Sequence, residues 1–518
     1  MTSSRSQQRS LTATCPYSCD PLHFVSREFP KLQWSTGADP GELVKKTAMC
    51  SGRLAFGKIP WGSIQLVCWI ANCFQLDIVG ALRPGLALDL FGHQGEDLLT
   101  SNLSHLASDR GGLTEVDEPI GALRRKLRDQ LENAVDAVAK GLGTYESLRN
   151  LSEVIGGEYG DRVIFELIQN AHDAHREAHD GRILLRLVIR GEADGDLYVA
   201  NGGMGFDWDN VNAIRNVGVS SKTVGEGIGN KGLGFRSVET LTNDPRIYSQ
   251  ALARPNEAFD GFCFRFAGHE EVLAEVSAIA GADVGREVAK TLPRYLASVP
   301  IIDQPPDIAA FAQEGFATVI HVPISTAAAL ATARKQVEGL LDSEAPLLLF
   351  LDRLREVTVE IAEGGTVQRK VLSREVKERL KPSGESGSEY EIVEIQPASK
   401  RYLVAKKAVD RERLLGAVER SIPQEPQLAR WRDWRGEPKV AVAVALDRHD
   451  PRLGRVYNFL PMAAEMPAPI AGHIDAPFYA SIDRRRANFM LPLNAFLLDA
   501  LAETAVAAAS ELKQFSAK

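Results

Sequence analysis

The residue pattern predicts a mixed α/β protein, in two connected blocks after an N-terminal segment. Two observations carry this prediction. After Pro119, apolar residues recur at helical spacing in some stretches and alternate at strand spacing in others. The two kinds of stretch also interleave along the chain, as a layered α/β or α+β fold requires.

GALRRKLRDQLENAVDAVAKGL reads as an amphipathic helix, with charges on one face and Leu, Val and Ala on the other. A second helix is expected over Asp161–His179, opened by Gly160-Asp161 and closed by Asp180-Gly181. Two strands follow, Ile183–Arg190 and Leu197–Ala200, joined by the turn GEADGD. A polar, glycine-rich stretch covers Asn201–Gly234, and FRSVETL is expected to resume as helix. Beyond it FATVIHVPI reads as strand, ALATARKQVEGLLD as helix and EVTVEIA as strand. The last block mixes turns such as SGESGSE with strand-like YEIVEI, RYLVAKK and KVAVAVAL, and ends in a helix from Asn494. Residues 1–118 show weak periodicity and no motif, and form an unassigned N-terminal segment.

At 518 residues the chain is too long for one ordinary core. The formal charge of −8 gives no support for a general electrostatic grip on nucleic acid. Six cysteines in a chain this long do not make a disulfide framework. Cys15 and Cys19 have loosely metal-like spacing, but no second Cys/His pair completes a tetrahedral site. The N-terminus lacks the apolar block of a secretory signal. Ile64–Leu82 is the most apolar run, yet Gln65, Asn72, Gln75 and Asp77 make it a poor membrane span. A cytoplasmic protein away from membranes is the expectation.

The chemistry concentrates between residues 160 and 235. On a helix, Glu166, Asn170 and Asp173 fall within about 60° of one another. The apolar set Ile164, Leu167, Ile168, Ala171 and Ala174 forms the opposite stripe. Asn offers a neutral oxygen to a hard cation, and Glu can activate water. On this helix alone a solvated polar face is the plainer reading. The strand DLYVA then ends in Asn201-Gly-Gly-Met-Gly205, where an Asn can accept from an adenine amino group and glycines permit close approach. Third comes Gly225-Glu-Gly-Ile-Gly-Asn-Lys-Gly-Leu-Gly234 before a helix, a set of backbone N–H groups suited to an anion. It is not a P-loop, because Lys231 precedes Gly232. Gly227-x-Gly229-x-x-Gly232 matches a dinucleotide fingerprint formally, but polar NVGVSSKTVGE precedes it where a buried strand belongs.

In this order and spacing the three pieces resemble the GHKL ATPases: gyrase B, the ninety-kilodalton heat-shock chaperones, histidine kinases and MutL. FELIQNAHDA looks like that family's N box, NGGMG like its DxGxG box with Asn201 in place of Asp, and GNKGLGF like its GxxGxG box. The sacsin-like branch is similar over NVGVSSK, IGNKGLGFRSVETLTNDPRIYS and RVYNFLPM…APFYASIDRRRANF. The resemblance covers residues 120–510 and is strongest over 160–250. It implies an α/β (α+β) two-layer sandwich of Bergerat type over residues 119–360, in which an antiparallel sheet backs the helices, with a mixed α/β region following over 361–518. It also implies ATP and Mg2+ as ligands, Glu166 as general base and Asn170 as magnesium ligand. Asp173 joins that helix face. Asn201, with Gly203 and Gly205 in its turn, would meet the adenine, and Thr318 would lie beside the base. Gly229, Lys231, Gly232 and Gly234 would hold phosphates, and Ser221 and Lys222 belong to the mobile lid. Without a charge, Asn201 would hold the adenine less tightly than the family's Asp.

Two other clusters compete. His172, His175 and His179 share a helix face, but a zinc site there lacks its remaining ligand. Arg484, Arg485 and Arg486 read equally as a solvated turn or as the source of an arginine, Arg484, that reaches the γ-phosphate. The function expected is a Mg-ATP-dependent ATPase with a lid-closure cycle, chaperone-like or defence-associated, acting on a protein client, with a homodimer as one assembly. The rival is a nucleotide-dependent interaction module with little turnover; a histidine kinase stands third.

Overall fold

The computed structural model describes residues 117–159, 162–175, 180–215, 234–251, 258–342, 345–380, 388–446, 454–463, 466–481 and 486–515. The chain divides into two units, Met1–Leu113 and Thr114–Lys518, and every described residue belongs to the second. The Cys15–Cys19 pair and the apolar run Ile64–Leu82 therefore lie outside the described residues.

The elements that frame the site begin with three helices, α1 (Asp117–Ala139), α2 (Thr144–Tyr159) and α3 (Val163–Asp173). Strands β1 (Gly181–Ile189) and β2 (Gly195–Asn201) form a hairpin, followed by α4 (Trp208–Arg215) and a 3₁₀ helix over Gly234–Thr240. Then come β3 (Arg246–Ser249), β4 (Phe264–Phe266), α5 (His269–Ala280), α6 (Ala282–Thr291), β5 (Ser298–Pro300) and α7 (Pro306–Gln313). Strand β6 (Thr318–Ile324) and helix α8 (Ala327–Asp342) lead to β7 (Leu354–Glu363), β8 (Thr366–Leu380), β9 (Ser388–Gln396) and β10 (Lys400–Ala408). The chain continues with α9 (Arg411–Ser421), β11 (Lys439–Ala445), β12 (Val456–Asn458), β13 (Leu460–Pro461), β14 (His473–Asp475) and α10 (Pro492–Phe515).

All these strands join one mixed sheet, in the order β13-β12-β14-β11-β10-β9-β8-β7-β1-β2-β6-β3-β4-β5. The pairs β1–β7 and β12–β14 are parallel and the others antiparallel. The fold is thus mixed α/β around a large sheet. The sheet runs through residue 360 without a break, because β7 pairs with β1 on one side and β8 on the other.

Alternation along β1 divides its side chains between two cores. Ile183, Leu185 and Leu187 join Ile164, Leu167 and Ile168 of α3 and Ala333 and Val337 of α8. Leu184 instead joins Tyr198 of β2 with Ile308 and Phe311 of α7. Helices therefore cover both faces at β1 and β2, so the expected two layers become three here. Leu167 and Ile168 are fully buried, each contributing about 1.5–3 kcal/mol by transfer.

Four expected elements differ in extent or type. The Asp161–His179 helix is shorter, because the chain leaves it at Ala174 and the His175 imidazole Nδ1 bonds the Ala171 carbonyl at 2.8 Å. FRSVETL is a 3₁₀ helix rather than an α-helix. Its buried Arg236 donates to the Ile214 carbonyl, and Thr240 Oγ1 donates to Ser237 O at 2.7 Å, holding a tight short turn. The expected strands Ile183–Arg190 and Leu197–Ala200 form with slightly shifted ends.

Among the described residues one helical window, Pro492–Lys513, is long and apolar enough to cross a membrane, and 39% of it is buried. It packs against α9, β10 and β11. Cys263, the one cysteine among the described residues, is free and buried.

Candidate functional site

Helix α3 carries the acidic and amide face. Its first turn is held from outside, where Ile164 N donates to Gln336 Oε1 of α8 at 3.1 Å. Glu166 is buried, while Asn170 is partly exposed. The Asp173 carboxylate meets His172 Nδ1 at 3.2 Å and is itself almost fully covered.

The glycine turn after β2 lies against the other end of α3. Met204 N donates to the Ala174 carbonyl at 2.9 Å. Gly203 is needed for that approach, because a Cβ there would stand 2.6 Å from Ala174 O. Gly205 likewise sits on the Gln250 carbonyl, where a Cβ would collide with backbone. Phe206 N is then pinned to Ser249 Oγ of β3 at 2.6 Å.

Asn201 ends β2 and faces Thr318, the first residue of β6, across the sheet. Both are buried. The Asn201 amide oxygen accepts from Gly203 N at 3.1 Å, which folds the turn and occupies one of its two lone pairs. Thr318 Oγ1 donates to Met204 O at 3.5 Å. Sheet register, glycine packing, the Met204–Ala174 backbone bond and the Thr318 hydroxyl bond thus bring Asn201, Gly203, Gly205 and Thr318 to the C-terminal end of the helix bearing Glu166, Asn170 and Asp173.

Gly234 opens the 3₁₀ helix that packs on both α2 and α3. Ser221, Lys222, Gly229, Lys231, Gly232 and Arg484 lie outside the described residues. His172 and His175 have partners of their own, in Asp173 and the Ala171 carbonyl. Burial pushes the His175 imidazole below its ordinary value, so its neutral Nδ1–H donates to that carbonyl. Among the described residues no group of three metal-ligating side chains occurs, and His179 lies outside them.

Gln169 escaped the sequence reading. It is three residues after Glu166 and one before Asn170, so it borders the same face. The side chain is 1% exposed, and neither amide atom has a hydrogen-bond partner. A buried amide left unpaired costs about 1–3 kcal/mol per group, and such groups call for a ligand or water. Only its place inside FELIQNAHDA signalled it.

A charged chain leads from α3 into the later strands. His172 Nε2 lies 3.9 Å from Asp352, and Lys406 of β10 reaches Asp352 at 3.4 Å and Glu391 of β9 at 3.8 Å. Arg374 of β8 meets Glu391 at 3.2 Å. Burial opposes the Asp352 charge, but the His172 contact and the Lys406 charge outweigh it and hold the carboxyl well below its usual range.

No family model matches the chain, and no curated protein matches it. Among solved structures, the crystal structure of the N-terminal domain of a DNA repair protein is similar at 11% identity and a TM-score of 0.33. That match covers 71% of this chain and 100% of the other, a likeness too slight to argue from.

Proposed function

We propose that the chain binds ATP with magnesium and hydrolyses it, in a Bergerat-type sandwich of the GHKL kind over residues 119–360. The observation that supports this most is the convergence of separate motifs. The end of the Glu166–Asn170–Asp173 helix is hydrogen-bonded to the Asn201–Gly205 turn, and that turn is bonded to Thr318. A merely solvated helix face needs neither contact. The close-approach glycines and the unpartnered Gln169 amide fit a polar ligand there.

Asn170 would hold magnesium through its neutral side-chain oxygen, and the cation supplies charge neutralisation on the phosphate oxygens when bound. The lone pair that Gly203 leaves free on Asn201 Oδ1 accepts from the adenine amino group. Thr318 lies beside the base. Gly229, Lys231, Gly232 and Gly234 hold phosphates through backbone N–H groups and the lysine charge. Ser221 and Lys222 move with the lid, and Arg484 meets the γ-phosphate. Glu166 accepts a proton from water as the water oxygen bonds to the γ-phosphorus and the bond to the β-phosphate oxygen breaks. Lid closure excludes bulk water and drives a conformational cycle on a protein client in the cytoplasm.

Phosphate release and ATP binding, measured together on wild type and Glu166→Ala, test the reading. The variant should bind ATP and release phosphate roughly 10²–10⁴-fold more slowly. Normal turnover in the variant would assign the base elsewhere. Wild-type binding without turnover would leave a nucleotide-dependent interaction module.

A further inference from the structure

A second concave site lies on the same unit. Its cavity of about 580 Å³ is lined by α2, the 3₁₀ helix over Gly234–Thr240, the start of α5, and α6 with the turn that follows it. That volume lies within the range of about 300–1,000 Å³ usual for small-molecule sites. Its apolar wall comes from Phe266, Val272, Leu292 and Ala297.

The charges around it are unbalanced. Arg149, Lys290 and Arg294 line the cavity against one carboxylate, Glu239. That carboxylate already accepts from Arg236 at 3.3 Å and from Ser152 Oγ at 3.5 Å. Arg294 donates to the Asn243 carbonyl at 3.3 Å and, like Lys290, has no carboxylate partner among the described residues. Lys290 and Arg294, beside an apolar wall and without carboxylate partners among the described residues, present unspent positive potential.

Tyr295 supplies the independent observation. It lines the cavity and is 2% exposed, yet its hydroxyl has no hydrogen-bond partner. The Arg236 guanidinium stacks on its ring at 3.3 Å and fixes the ring from the other side chain's face. Burial pushes the phenol up to about 12, so it remains a donor at neutral pH. A buried O–H donor near unpaired cations suits an anionic acceptor.

We propose that this cavity binds a small organic anion. Its carboxylate, sulfonate or phosphate head accepts from Tyr295 and meets Lys290 and Arg294, while an apolar body covers Phe266, Val272 and Leu292. The inference does not depend on the ATP reading, although Glu239 and Thr240 of the lining belong to the 3₁₀ helix that begins at Gly234.

The probe is 1-anilinonaphthalene-8-sulfonate, titrated by fluorescence against the full chain, with uncharged N-phenyl-1-naphthylamine as control. We expect one saturable site that excess ATP does not displace. Lys290→Gln with Arg294→Gln should weaken it at least about tenfold, and Tyr295→Phe should weaken it several-fold. Ala289→Trp, which fills the cavity, should abolish it while circular dichroism shows a folded chain. Equal affinity for the uncharged probe, displacement by ATP, or indifference to all these variants would overturn the proposal.

Discussion

The backbone N–H of Met204 donates to the Ala174 carbonyl across 2.9 Å, tying the glycine turn to the end of the helix that carries Glu166 and Asn170. This bond exists because Gly203 has no side chain. In Gly203→Ala the new Cβ meets backbone atoms, which cannot swing aside as a flexible side chain would. The variant should lose roughly 1–3 kcal/mol of stability, read by urea unfolding, and should bind ATP more weakly. Unchanged stability and affinity would show that the turn relaxes without disturbing α3.

Asn201→Leu tests the adenine end. Leucine removes the oxygen that accepts from Gly203 N, and in the proposed site it also removes the acceptor for the adenine amino group. The expected cost in ATP binding is about 1–3 kcal/mol, with weaker discrimination between ATP and GTP. A variant that binds both nucleotides as the wild type does would move the base contact elsewhere.

His473 and Asp475 of β14 give opposing pH trends. Burial, helped by Arg455 and Lys400, pushes His473 down to about 4 from an ordinary 6.5. Burial, with Asp352 adding to it and the Phe459 N–H opposing, pushes Asp475 up to about 7 from 3.8. The folded His473 value is depressed, so its contribution is full above 6.5 and lost as pH falls toward 4. The folded Asp475 value is raised, so its contribution is full below 3.8 and lost as pH rises through 7. Between pH 4.5 and 6.5 the two slopes therefore oppose. Asp475→Asn keeps an oxygen for Phe459 N and leaves His473 unopposed. Its stability should rise with pH more steeply than that of wild type, by up to about 1.4 kcal/mol per pH unit. His473→Phe should do the reverse. Parallel stability–pH curves for all three proteins would remove this assignment.

The sequence made the central strands legible because β1 and β2 are short, nearly continuous apolar runs, covered on both faces, and a polar turn separates them. Helix α8 and strand β7 were legible for similar reasons. Helix α2 was not, since its TYESLRNLSEVIGGEY pairs two glycines with a diffuse apolar face. Helices α5 and α6 meet directly at Gly281, whose φ of +89° permits a turn with no linker to mark it. Strand β8 is largely exposed and charged, so its burial pattern carries no strand period. In the candidate site, the glycine turn after a strand pointed to Asn201 and the family resemblance to Thr318, and the β2–β6 register pairs the two. Gln169 stayed hidden because an amide on a helix signals nothing until its burial and missing partners are seen.

In the proposed site Asn170 holds the cation that bridges protein and nucleotide, and calorimetric titration of ATP tests this most directly. Wild type should bind ATP with magnesium and lose most of that affinity when the metal is chelated. Asn170→Ala, which is partly exposed and outside the core, should stay folded and show the chelated affinity with or without magnesium. Magnesium-dependent ATP binding that survives intact in Asn170→Ala would contradict the assignment, and no ATP binding by the folded wild type would contradict the account as a whole.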